Sequence, residues 1–377
     1  MERIRITMLI AGLGLTGTPR MMMDIIENIN HNQYDISVAY KPEYQGSDLD
    51  RINDLMDLGI TLIPLRGKRL FSLSGIKDLF RHLYRGNVQI IHCWDALRIV
   101  ARVLKLATGC RVIESYCNPV VSKGSFIYYW ANKITSLLLN GIIFCTKGVQ
   151  KSYEQNKTIF LNRKKIALIA NCINTDRITE RVYDHKEIRK NWEIAQEEIV
   201  LTNIGYFNDQ KGQIYLLEAM EIILLEIPQV KLILAGWGPL EATLRRKAQD
   251  LGIEKKVIFA GKCPHDTVFE ILSITDLFVL SSLWEGFGLV LGEAMSMGNP
   301  VVCTKTVGSQ VVVRHKETGL IVPPQNPQAF AEAVINLLNN PDRMKKMGEL
   351  GRKRVTALFS PEIFIQKHEV FYREILH

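Results

Sequence analysis

The chain has 377 residues, is 47% hydrophobic and 23% charged, and carries a net charge of +8 with 26 Gly and 13 Pro. These proportions exclude collagen-like, coiled-coil and disordered chains, and the length predicts two domains, each able to bury its own core. No apolar run reaches the roughly 18–20 residues needed to span a bilayer. The opening Met-Glu-Arg-Ile-Arg-Ile has no signal-peptide pattern, and the seven scattered cysteines lack Cys-x-x-Cys spacing and so predict neither a disulfide framework nor a zinc site. A reduced, cytoplasmic protein is expected.

Short β-branched apolar runs alternate with amphipathic stretches along the chain. The runs are residues 4–10, 35–40, 61–65, 88–92, 111–114, 141–145 and 166–169 in the first half, then 199–204, 230–235, 257–260, 276–280, 300–303 and 319–322. Between them lie helical patterns such as 212–226, where Leu216, Leu217, Met220, Ile223 and Leu224 recur at three- and four-residue spacing. Continuous apolar strands alternating with helices predict an α/β fold of two tandem Rossmann-like, doubly wound domains with parallel sheets and a deep cleft between them. The boundaries are expected at 1–175, 176–360 and a terminal helix over 361–377. Ligands of such sheets bind outside the carboxyl ends of the strands.

Charge is uneven: residues 1–170 carry +10 and the rest −2. Basic patches at Arg66-Gly-Lys68-Arg69, Lys77 to Arg85 and Arg163-Lys164-Lys165 lack the aromatic interleaving of a nucleic-acid binder. They suit a peripheral contact with an anionic membrane, or else are solvated helix faces.

Gly12-Leu-Gly14-Leu-Thr-Gly17 follows the first strand and matches G-x-G-x-x-G. A dinucleotide site would want an acid near residue 40, where the chain reads Val38-Ala-Tyr40-Lys41, and Pro19 falls where a helix should run. The loop reads instead as glycine backbone free to approach a phosphate or sugar. The most informative stretch runs from Ser281 to Pro300, with Glu285, Gly286, Gly288, Glu293 and Gly298 in it. Its glycines leave a helix N-terminus bare, with amides and the positive dipole end open to an anion. Glu285 and Glu293, eight positions apart, can each grip a pair of hydroxyls.

This stretch resembles the E-x7-E motif of the retaining GT-B glycosyltransferases of the group 1 type, which include glycogen synthase-like and mannosyltransferase enzymes. Gly205 with Lys211-Gly212, Leu232 to Pro239, Val257 to Gly261, Pro300 to Thr304 and Thr318 to Pro323 match in order, over nearly all of 195–340 and more weakly before it. The resemblance implies a C-terminal domain that binds a UDP- or GDP-sugar donor and an N-terminal domain that takes a glycan or lipid-linked acceptor. It implies that Glu293 holds the ribose and that Glu285, with the backbone of Phe287, Gly288 and Leu289, holds the donor sugar. Lys211 would lie on the diphosphate, the backbone at Lys262 beside the base, and Gly17 in the diphosphate loop of the first domain. It further implies transfer without metal and a terminal helix, Pro361 to Leu376, that crosses back to the first domain. Asp48-Leu-Asp50, an Asp-x-Asp of the kind a metal-dependent transferase uses, reads as helix capping.

Two departures stand out. The family usually carries an Arg where this chain has Tyr206, and a His after the strand that here ends in Val112-Ile-Glu114-Ser-Tyr-Cys117. His92, in Ile91-His-Cys-Trp-Asp95, is the nearest catalytic candidate at a strand end, with Asp95 to orient it. The expected reaction is front-face transfer with retention in polysaccharide biosynthesis. The alternatives are a degenerate, non-catalytic partner protein and a nucleotide-sugar epimerase.

Overall fold

The computed structural model describes residues 3–14, 17–42, 49–67, 72–94, 97–121, 125–161, 164–174 and 182–377. The chain divides into two compact units, one of residues 1–172 together with 361–377 and the other of residues 173–360.

The first unit reads β1 (Ile4–Ile10), α1 (Gly17–Asn28), β2 (Tyr34–Tyr40), α2 (Leu49–Asp57), β3 (Thr61–Pro64), α3 (Leu73–Arg85), β4 (Ile90–Cys93), α4 (Arg98–Thr108), β5 (Arg111–Tyr116), α5 (Phe126–Thr135), β6 (Gly141–Phe144), α6 (Lys147–Asn156) and β7 (Lys165–Leu168). Its seven strands pair in the order β3-β2-β1-β4-β5-β6-β7, with every ladder parallel. Central strands are apolar on both faces because helices cover both, as βαβ crossovers require. The terminal helix Pro361–Leu376 adds Phe364, Phe371, Tyr372 and Ile375 to this core. Gly141 accommodates it, since a Cβ there would stand 2.5 Å from Ile375 Cδ1 and 2.8 Å from Phe371 Cζ.

A buried ion pair lies under α4 and α5. The guanidinium of Arg102 donates to both carboxylate oxygens of Glu114 at 2.6 Å, and Tyr116 Oη donates to the same carboxylate. Neither Arg102 nor Glu114 has exposed surface. Arg102 Nη1 also donates to the Asn132 carbonyl and side chain and to Thr135 Oγ1, so that nitrogen is spent on α5.

The second unit reads α7 (His185–Asn191), β8 (Ile199–Ile204), α8 (Gln213–Glu226), β9 (Val230–Ala235), α9 (Glu241–Asp250), β10 (Val257–Gly261), α10 (His265–Ser273), β11 (Leu277–Leu280), α11 (Leu289–Ser296), β12 (Val301–Thr304), α12 (Ser309–Val312), β13 (Leu320–Val322), α13 (Pro327–Leu338) and α14 (Pro341–Phe359); the terminal helix is α15. Its parallel sheet has the order β10-β9-β8-β11-β12-β13. Strand order reverses between β8 and β11, which sets the loops leaving those two strands side by side at the switch point. The thirteen strands coincide with the thirteen apolar runs of the sequence to within two residues at each end.

Among the described residues no helix is long and apolar enough to cross a membrane. No disulfide joins any of the seven cysteines, all of which lie among the described residues. Asp48, Asp95, Lys68, Arg69, Arg163 and the side chain of Asp50 lie outside the described residues, as do Leu15 and Thr16 of the glycine loop.

Candidate functional site

The two loops at the β8/β11 switch point are stitched together by backbone. Asn208 caps a single 3-10 turn, Asp209–Lys211, its side chain accepting from the Lys211 amide at 3.3 Å. Gly212 then turns the chain into α8 with φ +59, and a Cβ there would lie 2.5 Å from the Ser281 carbonyl. That is a position only glycine fills. The Leu283 amide donates to Gln210 O at 2.7 Å, Gln210 Nε2 to Trp284 O at 3.1 Å and Ser281 Oγ to Lys211 O at 2.9 Å. The result delivers Lys211 onto Glu285: Nζ forms an ion pair with Oε1, and Ser282 Oγ donates to the same oxygen at 2.9 Å. Glu285 is buried and Lys211 largely so.

Beyond Glu285 the chain runs through Gly286 and buried Phe287, which meets Phe359 edge-on at 5.2 Å, to Gly288 at φ +88. Among the described residues no side chain caps α11, which leaves the positive end of its dipole without a side-chain acceptor. Gly308 holds this segment from outside: its amide donates to Glu285 O at 3.0 Å, and a Cβ on it would stand 2.5 Å from the Phe287 nitrogen. Glu293, buried in the middle of α11, has Oε1 3.5 Å from His265 Nε2 at the start of α10. Lys262 follows β10 and lays its ammonium 5.5 Å from the centre of the Trp237 ring. Trp237 meets Tyr206 edge-on at 5.6 Å. The loop of Gly236 and Gly238 packs directly on residues 205–207, where a Cβ at either glycine would collide with backbone.

A carboxylate with an ammonium, a helix start and a second buried carboxylate together have the chemistry to hold an anion joined to hydroxyl groups. Residues 184–354 match the family described as glycosyl transferases, group 1. The second unit belongs to the group 1 glycosyl transferases. The chain is 34% identical over 202 residues to the N-acetyl-alpha-D-glucosaminyl L-malate synthase of Bacillus anthracis, covering 53% of this chain and 52% of that protein. It is 30% identical over 208 residues to the GDP-mannose-dependent alpha-(1-6)-phosphatidylinositol monomannoside mannosyltransferase of Mycobacterium tuberculosis, covering 53% and 54%. These matches span about half the length of the two curated relatives. The whole fold is shared with Anabaena Alr3699/HepE, crystallised in complex with UDP and glucose, at a TM-score of 0.85 and 17% identity over 99% of this chain and 100% of that one. The fold is that of GT-B glycosyltransferases.

The second unit brings Lys211, Glu285, Phe287, Gly288 and Leu289 together, with Glu293 further along the same helix. Gly17 and His92 belong to the other unit. Gly17 opens α1 and is exposed. His92, the catalytic candidate of the sequence, lies in the core of the first unit. It has no exposed surface, its Nδ1 pairs with Tyr372 Oη and its Nε2 with Ser115 Oγ, both at 2.8 Å, and its ring stacks on Trp94 at 3.8 Å. Burial, with His368 nearby, drives its pKa well below the ordinary value, so it stays neutral with one nitrogen donating and the other accepting. Both ring nitrogens are engaged, and the residue is part of the core.

Three site residues were not foreseen in the sequence: Ser282 on Glu285, His265 beside Glu293, and Gly308 behind Phe287. His265 follows Pro264 at a helix start just after β10, which was the available signal; Gly308 meets Phe287 only through the fold. Among the described residues no group of three or more His, Cys, Asp or Glu is placed to hold a metal ion.

Proposed function

We propose that the chain is a retaining hexosyltransferase that moves a sugar from a UDP- or GDP-sugar to a saccharide or lipid-linked acceptor without a metal ion. The Lys211–Glu285 pair beside the uncapped start of α11 carries the reading. Glu293 holds the ribose hydroxyls, and Glu285 with the backbone of Phe287, Gly288 and Leu289 holds the donor sugar. Lys211 neutralises the diphosphate, and the backbone at Lys262 borders the base. A cation and a helix N-terminus together supply the charge stabilisation that a metal would give a departing diphosphate. With both glutamates engaged on hydroxyls, neither is the nucleophile. The acceptor oxygen bonds to C1 on the face from which the diphosphate leaves. As the C1–O bond to phosphate breaks, the leaving oxygen takes the acceptor's proton.

Anabaena HepE with UDP and glucose supports the donor class, and the mycobacterial relative named for GDP-mannose and a phosphatidylinositol glycoside supports a lipid-linked acceptor. The +10 charge of residues 1–170 supports an acceptor presented at an anionic membrane face within the cell. Tyr206, half-exposed where the family usually carries a phosphate-binding Arg, favours a second reading, a partner protein that binds donor without turnover.

A thermal-shift series with UDP, GDP, ADP and their sugars, with and without EDTA, tests the proposal. A ligand at 100 times its Kd stabilises by about 2.7 kcal/mol. One nucleotide family is expected to stabilise the wild type but not Glu293→Ala, and EDTA to change nothing. Silence from every nucleotide overturns the donor site. Binding without turnover selects the partner reading, and a product of inverted anomeric configuration removes retention.

A further inference from the structure

Helix α5 is built inside out. Its polar residues Asn132 and Thr135 face inward and accept hydrogen bonds from buried Arg102, while Asn132 Nδ2 donates to Thr158 O at 3.1 Å. Its apolar residues face outward: Phe126 is 78% exposed, Ile127 81% and Ile134 57%. Spacings of four (Phe126, Trp130, Ile134) and seven (Ile127, Ile134) place them on one stripe, which exposed Leu137 extends into the following turn. No residue of α5 is buried. A surface helix normally turns such a stripe to the core, so this one requires an apolar occupant.

The neighbouring helices say which. Helix α4 packs against both α3 and α5, and the residues between Arg98 and Thr108 that it exposes are Val103, Leu106 and Ala107, all apolar. Helix α3 exposes Lys77, Arg81 and Arg85. Across the three helices Asp78 is the single acidic residue, paired with Arg66 and Arg81. On α5, Lys133 sits within 5.6 Å of the centres of the Tyr129, Trp130 and Phe160 rings. An apolar, aromatic strip beside a row of cations is the chemistry of the interface between acyl chains and anionic headgroups, where Trp and Tyr settle and Lys and Arg reach phosphate.

We infer that the outer face of α3, α4 and α5 docks on an anionic lipid bilayer, with Phe126, Ile127, Trp130 and Ile134 entering the interface and the α3 cations resting on headgroups. Hydrophobic insertion by α5, rather than net charge alone, holds the protein there. This deepens the reading of the first unit as membrane-facing and rests on it, so docking and donor binding are scored separately.

The experiment is flotation with vesicles of phosphatidylcholine and phosphatidylglycerol in equal parts, against vesicles of phosphatidylcholine alone. Wild type is expected to float with the anionic vesicles, and brominated lipid to quench fluorescence that Trp130→Phe removes. The Ile127→Glu/Ile134→Glu variant alters only exposed side chains; it should keep its melting temperature and its UDP or GDP shift while binding vesicles on the order of tenfold more weakly or worse. Leu225→Glu, at an exposed apolar position of the second unit, should float as wild type does. The inference is overturned if the double variant floats like wild type, or if neutral vesicles bind equally well. It is likewise overturned if wild type ignores vesicles and runs as a dimer that the double variant makes monomeric. A missing nucleotide shift alongside intact flotation overturns the transferase reading and leaves this one standing.

Discussion

Lys211 and Glu285 neutralise each other as an ion pair, and under the proposed function that pairing says which charge meets which part of the donor. On that proposal an incoming diphosphate competes with Glu285 for the ammonium, whereas the sugar hydroxyls need the carboxylate. The two side chains should therefore separate by experiment. Lys211→Ala is expected to weaken UDP or GDP binding and to lower kcat/KM by roughly 10²–10³-fold, the usual loss for a group aimed at charge developing in the transition state. Glu285→Gln keeps the cation and removes its competitor, so nucleoside diphosphate should bind at least as tightly while transfer fails. Calorimetric titration beside turnover reads both, and parallel losses in the two variants would contradict the assignment. At this scale the sequence showed plainly the glycines and glutamates that the second unit gathers around the start of α11. It could not show Ser282 or Gly308, whose roles exist only through the contact of separate loops. Nor could it show the burial of His92: an apolar flank reads alike at an open strand end and in a core, and the partner that seals it, Tyr372, lies 280 residues away.

At the scale of elements, α15 is the closing piece of the first unit's core. His92 bonds to Tyr372 on it, and His368, also on it, is buried with Nδ1 at the Phe364 carbonyl. Burial lowers the pKa of both imidazoles, His368 to about 4. The unfolded chain takes up these protons from about pH 6.5 downward and the folded chain does not, so stability falls as pH drops from about 6.5 toward 4. His368 alone can account for about 3 kcal/mol by pH 4. Urea midpoints between pH 7.5 and 5 should fall for wild type and fall less steeply for His368→Asn; a flat wild-type profile would refute the linkage. Strands were legible because continuous apolar runs have one reading in a parallel sheet. Helix α5 was not, because a periodic apolar stripe in a sequence carries no sign for inward or outward. Only the buried Arg102–Glu114 pair, which draws Asn132 and Thr135 beneath the helix, decides which way α5 turns.

At the scale of the molecule, the division into two units follows the two sheets and leaves α15 with the first. Removing residues 361–377 takes Phe364, Phe371, Tyr372 and Ile375 out of one core, and single large-to-small changes of that kind cost about 3–5 kcal/mol for an aromatic. Several together exceed the roughly 5–15 kcal/mol by which a domain is stable. A chain ended at Ser360 should lose protease resistance in the first unit and keep it in residues 173–360. Equal resistance in both would show that α15 is dispensable.

The placement of α15 also orders events during synthesis. The ribosome finishes Cys172 about 190 residues before Pro361 and, at roughly 5–20 residues per second, a bacterial or slower pace leaves an interval on the order of 10–40 s. Through that interval the seven-stranded sheet exists as a polypeptide whose last core helix has not been made. The second unit, contiguous from 173 to 360, is complete first. The half of the protein that is translated earliest is thus the half that matures last, and its uncovered apolar face is where nascent-chain chaperones would find their substrate.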